Sequence, residues 1–413
     1  MRVLITNTGP WGTGSGTVAD GVLQELRRRG HKVMAFFPDS GLPGPGYSRY
    51  YGHPNLYRIV PFPARYKGVY LYTFPLIIPD PNPRNYPKAW TFKHLSPAER
   101  TAYFGYMRKA LKKAVGEFSP DVIECQHIWA LDHLIGSLGF GYISVAHHSD
   151  QMGFRYDRNM RSIARKSARN AHYIISISDY VRQEVIALYG VQPDKVITIT
   201  NGYNQKVFYP FEVDRRKILS KLGITQRKDL PVITFTGKIS RTKGIDILLQ
   251  ANHIIQKKGK ALILILGSGG LEQFNKGEQK RFCLENTFFL GQRSHRDLAL
   301  LHNLARLSVL PSRSEGFGIG ALEAMGCAVP IVATRVGGLP SFVVGELVES
   351  EKPTSLAEAI LKLLQLPKKS YTELCQQALV TAKKYSWDSI VKKRFPYYRE
   401  LAAFNRRKKI SRE

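Results

Sequence analysis

Residues 307 to 338 read LSVLPSRSEGFGIGALEAMGCAVPIVATRVGG, and this stretch leaves few folds open. An apolar run over 307–310 closed by Pro311 predicts a buried parallel strand. A polar, glycine-rich turn follows. Ile319, Leu322 and Met325 then repeat at helical spacing among good helix formers, so 319–325 is expected to be helical. Gly326 stops it, and Pro330 opens a second buried strand over 331–333. The order strand, loop, helix, strand places the loop at the carboxyl end of a strand. Open α/β sheets bind their ligands there.

Two carboxylates punctuate the stretch: Glu315 in the loop and Glu323 within the helix. Gly316, Phe317 and Gly318 lead into the helix start at Ile319. Glycines let the backbone approach a ligand closely, and unsatisfied helix N–H groups favour an anion. A carboxylate accepts well from a pair of sugar hydroxyls. The pattern therefore suits a diphosphate at the loop with polyols to either side. The same residues also fit a tight strand-to-helix turn with a solvated glutamate on the helix.

Pro311-Ser312, Glu315-Gly316-Phe317-Gly318, Glu323-Ala324-Met325, the run 330–334 and Val336-Gly337-Gly338 resemble the donor-site signature of retaining glycosyltransferases of family 4, the glycosyl transferases group 1. The resemblance implies the GT-B fold. This is an α/β architecture of two Rossmann-like domains facing a cleft, with a C-terminal helix crossing back to the first domain. It spans nearly the whole chain, and is densest from 201 to 340 and thinnest from 40 to 120.

At 413 residues the chain is too long for one ordinary core, which agrees with two domains. Cys125, Cys283, Cys327 and Cys375 lack metal-type spacing, so a reducing compartment without disulfides is expected, together with no metal site. No apolar stretch approaches the ~20 residues of a membrane span, and residues 1–11 do not read as a signal peptide. A cytoplasmic protein follows as an expectation. The formal net charge of +29 calls for an anionic partner or surface: nucleic acid, lipid headgroups or a phosphorylated substrate. A generically basic surface is the plainer explanation.

In chain order, a strand over 3–6 is followed by a loop over 7–17 holding Gly12, Gly14 and Gly16, then a helix ended by Gly30 and a strand over 32–37. The glycine spacing departs from the dinucleotide fingerprint, which argues against an NAD enzyme despite Asp39. The family resemblance puts this loop beside donor phosphate and acceptor. Residues 41–95 are rich in proline and aromatics; Tyr66, Tyr70, Tyr72 and Phe74 read as a strand pair on the core or as an acceptor- or membrane-touching loop. A strand over 121–125 ends at Gln126 and His127, and one over 142–146 ends at His147, His148 and Asp150. The family's strand followed by His-x-x-Asp matches His147, with His148 one residue away. Arg158, Arg161, Arg165 and Arg169 share a helical face that suits an anionic membrane surface or simply water.

Asn201-Gly202-Tyr203-Asn204, with Phe208 and Pro210, resembles the string that ends the family's first domain, with Asn204 replacing the usual Asp. The expected domains are thus 1–205 with a returning helix over about 386–413, and 206–385. In the second, Lys238, Arg241 and Lys243 follow a strand over 232–236 and precede a helix, a diphosphate clamp in outline. Lys238 stands where the family carries Arg, and Arg241 is a candidate substitute. Gly267 after one strand, and Gln292 and Arg293 after the next, resemble the family's base pocket. Ser341 replaces an acid usual after the proline, and the hairpin at 344–347 is short. Pro396 is expected to kink or interrupt the basic last helix.

The resemblance implies transfer of a glycosyl unit with retention from a UDP- or GDP-sugar, a co-substrate rather than a cofactor, to a hydroxyl acceptor that is a small, phosphorylated or lipid-linked molecule. Glu315, His147 and Lys243 carry the catalytic roles. Lys238, Arg241, Lys243, Gly14, Gly16, Gly267, Gln292, Arg293 and the run from Glu315 to Ile319 bind donor, with Glu323 on the ribose. Peripheral association with the inner face of the membrane is a further expectation from the charge. A sugar phosphorylase or epimerase on the same fold is the alternative, and no RNP, zinc or helix-turn-helix signature supports a nucleic-acid-binding protein.

Overall fold

The computed structural model describes residues 1–11, 13–40, 52–79 and 90–410. Gly12 and the prolines at 81, 83 and 87 lie outside the described residues. The chain divides into two compact domains, Met1–Asn201 with Trp387–Glu413, and Gly202–Ser386.

The first domain is built on β1 (Arg2–Asn7), β2 (Lys32–Asp39) and β3 (Tyr57–Pro61), then a hairpin of β4 (Ala64–Tyr66) and β5 (Val69–Leu71), then β6 (Val122–Gln126), β7 (Ile143–Ala146), β8 (Tyr173–Ser176) and β9 (Val196–Thr198). Among the described residues the main sheet runs β3-β2-β1-β6-β7-β8-β9, and its pairings are parallel. The strands are apolar on both faces, as a sheet covered by helices requires: Val3, Leu4, Ile5, Ile123 and Val145 are fully buried. The second domain contains β10 (Val232–Thr236), β11 (Leu262–Leu266), β12 (Thr287–Gly291), β13 (Leu307–Leu310), β14 (Ile331–Thr334) and β15 (Gly345–Val348) in the order β12-β11-β10-β13-β14-β15, all parallel. Both sheets change winding direction beside their first strand, between β1 and β6 and between β10 and β13. These are the points where an open sheet leaves a crevice at its carboxyl edge.

Several local expectations change. The first helix starts at Gly14, because the Thr13 side chain accepts from the Gly16 amide and caps it, so Gly14 and Gly16 belong to the first turn and not to the loop. Residues 344–347 do not form a hairpin; Gly345–Val348 adds as a parallel edge strand beside β14. The arginine stripe is not one helix. Asp157 caps a 3-10 turn over Arg158–Met160, and the α-helix is Arg161–Asn170. Arg161 and Arg165 both lie over the Phe154 ring, at 5.4 and 5.1 Å, so they cover apolar surface as well as face water.

The last helix, Trp387–Ile410, continues through Pro396, so of the expected kink or interruption the interruption does not occur. An interior proline costs about 3 kcal/mol of helix propensity. Tertiary contacts within the first domain offset it. Asp388 accepts from Arg28 and Arg29 at 2.8 and 2.6 Å, and the Asn405 amide bridges Gly141 and Asp121. Arg394 and Tyr398 reach Glu124 on β6 at 2.6 and 2.5 Å. At the start of this helix the Trp387 ring covers Gly21, where an added Cβ would lie 2.1 Å from it. Gly21→Val should therefore destabilise the first domain by about 1–3 kcal/mol. A calorimetric melting temperature equal to that of the wild type would show that Trp387 docks elsewhere.

Candidate active site

In the second domain the loops leaving β10 and β13 flank the point where the sheet changes direction, and they are stapled together. Gly244 has φ +68, and a Cβ there would lie 1.8 Å from the Pro311 carbonyl oxygen, so only glycine permits the approach. The Arg313 amide donates to the Thr242 carbonyl at 2.8 Å, and its guanidinium binds both oxygens of Asp246 at 2.8 Å. Arg313 also donates to the Arg241 carbonyl and to Glu351. Hydrogen bonding to Asp246, more than burial opposes, raises its pKa and keeps it charged. A third loop joins this brace: Gly337, φ +56, passes so close to the Glu315 carbonyl that a Cβ would sit 1.6 Å away.

This brace sets the Lys243 ammonium 2.6 Å from a Glu315 carboxylate oxygen, with the two side chains only 31% and 13% exposed. The pair brings a cation for phosphate and a carboxylate for hydroxyl or positive charge into one place. Beside it, Gly318 opens the helix Ile319–Gly326 and offers no side-chain cap; the Ala321 amide turns back to the Gly318 carbonyl at 3.1 Å, and a helix start of this kind favours an anion. Phe317 is buried, stacked on Phe342 at 4.6 Å and tilted against Tyr385, so its side chain anchors the loop in the core and only its backbone is offered to a ligand.

Glu323 lies on that helix and is 8% exposed. Burial alone pushes its pKa from the ordinary 4.5 up to about 8, so at neutral pH the unliganded site carries it mainly protonated. A neutral carboxyl both donates and accepts, which suits a pair of hydroxyls. The Arg241 guanidinium donates to Glu278 at 2.5 Å and lies over Phe274, so in the ligand-free protein it is paired, as Lys243 is with Glu315. Lys238 is exposed in the loop after β10. Gly267 follows β11, and Gln292 and Arg293 follow β12 as exposed residues, so these candidates continue along the same carboxyl edge.

The first domain has its own cluster at the ends of β1, β6 and β7. Asn7 donates to the Gly9 and Pro10 carbonyls and accepts from Ser15, which holds the loop before the Gly14–Arg28 helix. Asp150 joins the other two ends: one oxygen accepts from the His147 amide at 2.9 Å, the other from the Ile128 amide at 3.0 Å. His147 and His148 part company here. His148 is buried against Glu184 at 2.6 Å, and Arg155 pairs with the same carboxylate. His147 is partly exposed, and its Nε2 lies 2.7 Å from the Gln126 side-chain oxygen. Burial, His127 and Arg394 hold its pKa well below the ordinary 6.5, so the ring is neutral. His127 lies beside it, ring centroids 5.0 Å apart, with φ +76 and a buried Nδ1 that has no partner among the described residues.

The two halves of the chain match two family models: residues 12–206 the Glycosyltransferase Family 4 model and residues 216–380 the Glycosyl transferases group 1 model. The chain belongs to this glycosyltransferase family. It is 32% identical over 231 residues to a D-inositol 3-phosphate glycosyltransferase of Catenulispora acidiphila, covering 52% of this chain and 54% of that one. The chain thus spans about half the length of that curated relative. It is 28% identical over 322 residues to an uncharacterised glycosyltransferase of Methanocaldococcus jannaschii, covering 71% of this chain and 80% of that one. Among solved structures it resembles sucrose-phosphate synthase from Thermosynechococcus elongatus, with TM-score 0.73, 20% identity and 97% and 99% of the two chains covered. HepE of Anabaena, solved with UDP and glucose, gives TM-score 0.73 at 16% identity, over 97% of this chain and 100% of that one. The fold is GT-B. Within this family chain the loops after β10 and β13 bring Lys243 and Glu315 together, Glu323 lies on the helix that follows the second loop, and His147 belongs to the first domain. Arg313, the brace of these loops, stands inside the recognised motif, but nothing in the linear order marks it apart from its neighbours.

The raised pKa of Glu323 has a consequence for stability. From about pH 4.5, where an unfolded chain releases this proton, to about pH 8, where the folded chain does, the folded state binds the extra proton. Stability of the unliganded protein should fall as pH rises through that window, by up to about 1.4 kcal/mol per pH unit from this group. Glu323→Gln should remove that slope. Denaturant midpoints at pH 5 to 8 test it, and parallel curves for wild type and variant would mean that Glu323 is not buried in the unliganded state.

Proposed function

We propose that the chain transfers a glycosyl unit from a nucleotide-diphosphate sugar to a hydroxyl acceptor, with retention and without a divalent metal. The observation that carries this is the Lys243–Glu315 pair at 2.6 Å, braced where the second sheet changes direction. In this reading the diphosphate replaces Glu315 as the partner of Lys243 and also lies on the N–H groups that open the Ile319–Gly326 helix. Lys238 adds charge from the exposed loop. Glu315, released, positions the sugar or stabilises positive charge at its anomeric carbon. Glu323 takes the ribose hydroxyls, and His147 hydrogen-bonds a hydroxyl of the transferred sugar. The acceptor oxygen forms its bond to the anomeric carbon on the face from which the diphosphate departs. The leaving diphosphate keeps the electron pair of the broken C–O bond and takes the acceptor's proton.

UDP- and GDP-sugars both fit these residues. The relative named for D-inositol 3-phosphate favours a phosphorylated polyol as acceptor, and the basic surface agrees with a phosphorylated or lipid-linked one. Incubation with UDP-glucose and GDP-mannose, read by release of the nucleotide diphosphate, tests the donor. Lys243→Ala should weaken donor binding by about 2 kcal/mol. Glu315→Gln should lower kcat more than it changes KM. Wild-type kinetics in both variants would remove this site from the reaction.

The acceptor side includes a proposed contact with an anionic membrane. No helix among the described residues is long and apolar enough to cross one. The β4–β5 hairpin supports a peripheral contact: Tyr70 and Tyr72 are 48% and 42% exposed, and Arg65 lies over the Tyr70 ring. Each basic residue near such a surface contributes about 1 kcal/mol, and salt screens it. Liposome flotation should recover the protein with anionic lipid at low salt and not with neutral lipid or at high salt. Equal recovery with both lipids would remove the membrane from the proposal.

A further inference from the structure

The C-terminal helix is rich in cations, yet one of them, Arg394, is fully buried. Its Nη1 donates to Glu124 Oε2 at 2.6 Å, and the Tyr398 hydroxyl donates to the same oxygen at 2.5 Å. Glu124 itself is fully buried on β6. Its other oxygen, Oε1, accepts from the Gln126 side-chain amide at 2.8 Å. Gln126 is two residues further along the same strand, so both side chains lie on one face of the sheet. The amide oxygen of Gln126 in turn lies 2.7 Å from His147 Nε2. The path from Arg394 and Tyr398 through Glu124 and Gln126 to His147 is continuous, and all of it is in the first domain.

The direction of this path follows from what each group can do. A guanidinium and a phenol both donate to Glu124, so its carboxylate only accepts. Gln126 must therefore turn its NH2 toward Glu124 and its oxygen toward His147. An amide oxygen cannot donate, so the proton on the neutral imidazole is on Nε2, and Nδ1 is left as an acceptor. Anchoring the helix does not by itself call for a buried charge. A buried ion pair is often no better than apolar side chains of the same volume, and Arg394 keeps Nε and Nη2 buried without partners among the described residues.

We propose that Gln126, Glu124, Arg394 and Tyr398 are positioning residues that hold His147 in its Nε2–H form and present Nδ1 to a hydroxyl of the substrate. The substrate half of this statement rests on the role given to His147 above; the relay rests on the hydrogen bonds alone. It also gives the returning helix a second purpose, since the helix supplies the charge that orients a side chain at the far end of β7.

Nitrogen-15 NMR of the full chain labelled at histidine reads the tautomer directly, with the His147 signal assigned by its loss in His147→Ala. The expected wild-type result is a single Nε2–H tautomer at pH 7 to 8. The triple variant Glu124→Leu/Arg394→Met/Tyr398→Phe removes the polar set without stranding a charge, and should give a mixture of tautomers. Its kcat should fall roughly ten- to hundredfold, the scale of a misplaced contact, while the thermal shift given by UDP or GDP stays as in the wild type. An Nδ1–H ring in the wild type overturns the relay, and so does a triple variant that keeps one tautomer and full kcat. If the wild type shows the Nε2–H ring but His147→Ala keeps full turnover, the relay stands and the substrate contact of His147 is overturned.

Discussion

Parallel pairing is the constraint on which this molecule depends. Strands that all run one way must deliver every carboxyl end to the same edge of the sheet, and the crossover helices leave a crevice where the winding reverses. In the second domain that edge receives, in spatial order, the loops after β12, β11, β10 and β13. Gln292 and Arg293, Gly267, Lys238 to Lys243, and Glu315 to Ile319 are therefore neighbours along one line, although they are spread widely in sequence. In the first domain the same rule brings Asn7, Gln126 and His147 to one edge.

What turns an edge into a site is close backbone contact. The loops carrying Lys243 and Glu315 would be mobile if each were held only by its own strand. Gly244 under the Pro311 carbonyl and Gly337 under the Glu315 carbonyl remove the space in which they could move. Arg313 then locks the first pair with a fork on Asp246, a geometry that a lysine cannot reproduce. Such loops are rigid before any ligand arrives, and preorganised charge is what makes a site effective against charge that develops later.

Buried ionisable groups mark both domains, and they are handled in different ways. Glu124 is paired with Arg394 and Tyr398, so its charge is satisfied by donors brought from the end of the chain. Glu323 has no such partner among the described residues to lower its pKa, and at neutral pH it is mainly protonated instead. The cost of an unpaired buried charge is avoided by pairing in one case and by a proton in the other. Each choice also decides what the group can offer a ligand: an oriented relay, or a carboxyl that donates as well as accepts.

The linear pattern determined much of this. Short apolar runs with glycine or proline close to one end located β1, β10, β13 and β14 and the helix over Ile319–Gly326, because burial on both faces and helix breaking act within a few residues. The motif from Pro311 to Gly338 was legible for the same reason. Contacts between remote residues were not. The pairing of Arg241 with Glu278 and Phe274 is not visible in the sequence, and Arg161 and Arg165 read as a free basic face until Phe154 was found beneath them. Pro396 predicted a kink or an interruption, and the helix is not interrupted: the local cost of proline is visible in the sequence, and the anchoring of Asp388, Arg394, Tyr398 and Asn405 is not. The choice between His147 and His148 was also beyond the sequence, since adjacent residues are distinguished only by what surrounds them: Gln126 for one, Glu184 and Arg155 for the other. Sequence alone determined which strands and loops exist, because backbone preference and burial are local; tertiary structure decided which charges meet, because partners hundreds of residues apart in the chain become neighbours only when the sheets and the returning helix assemble.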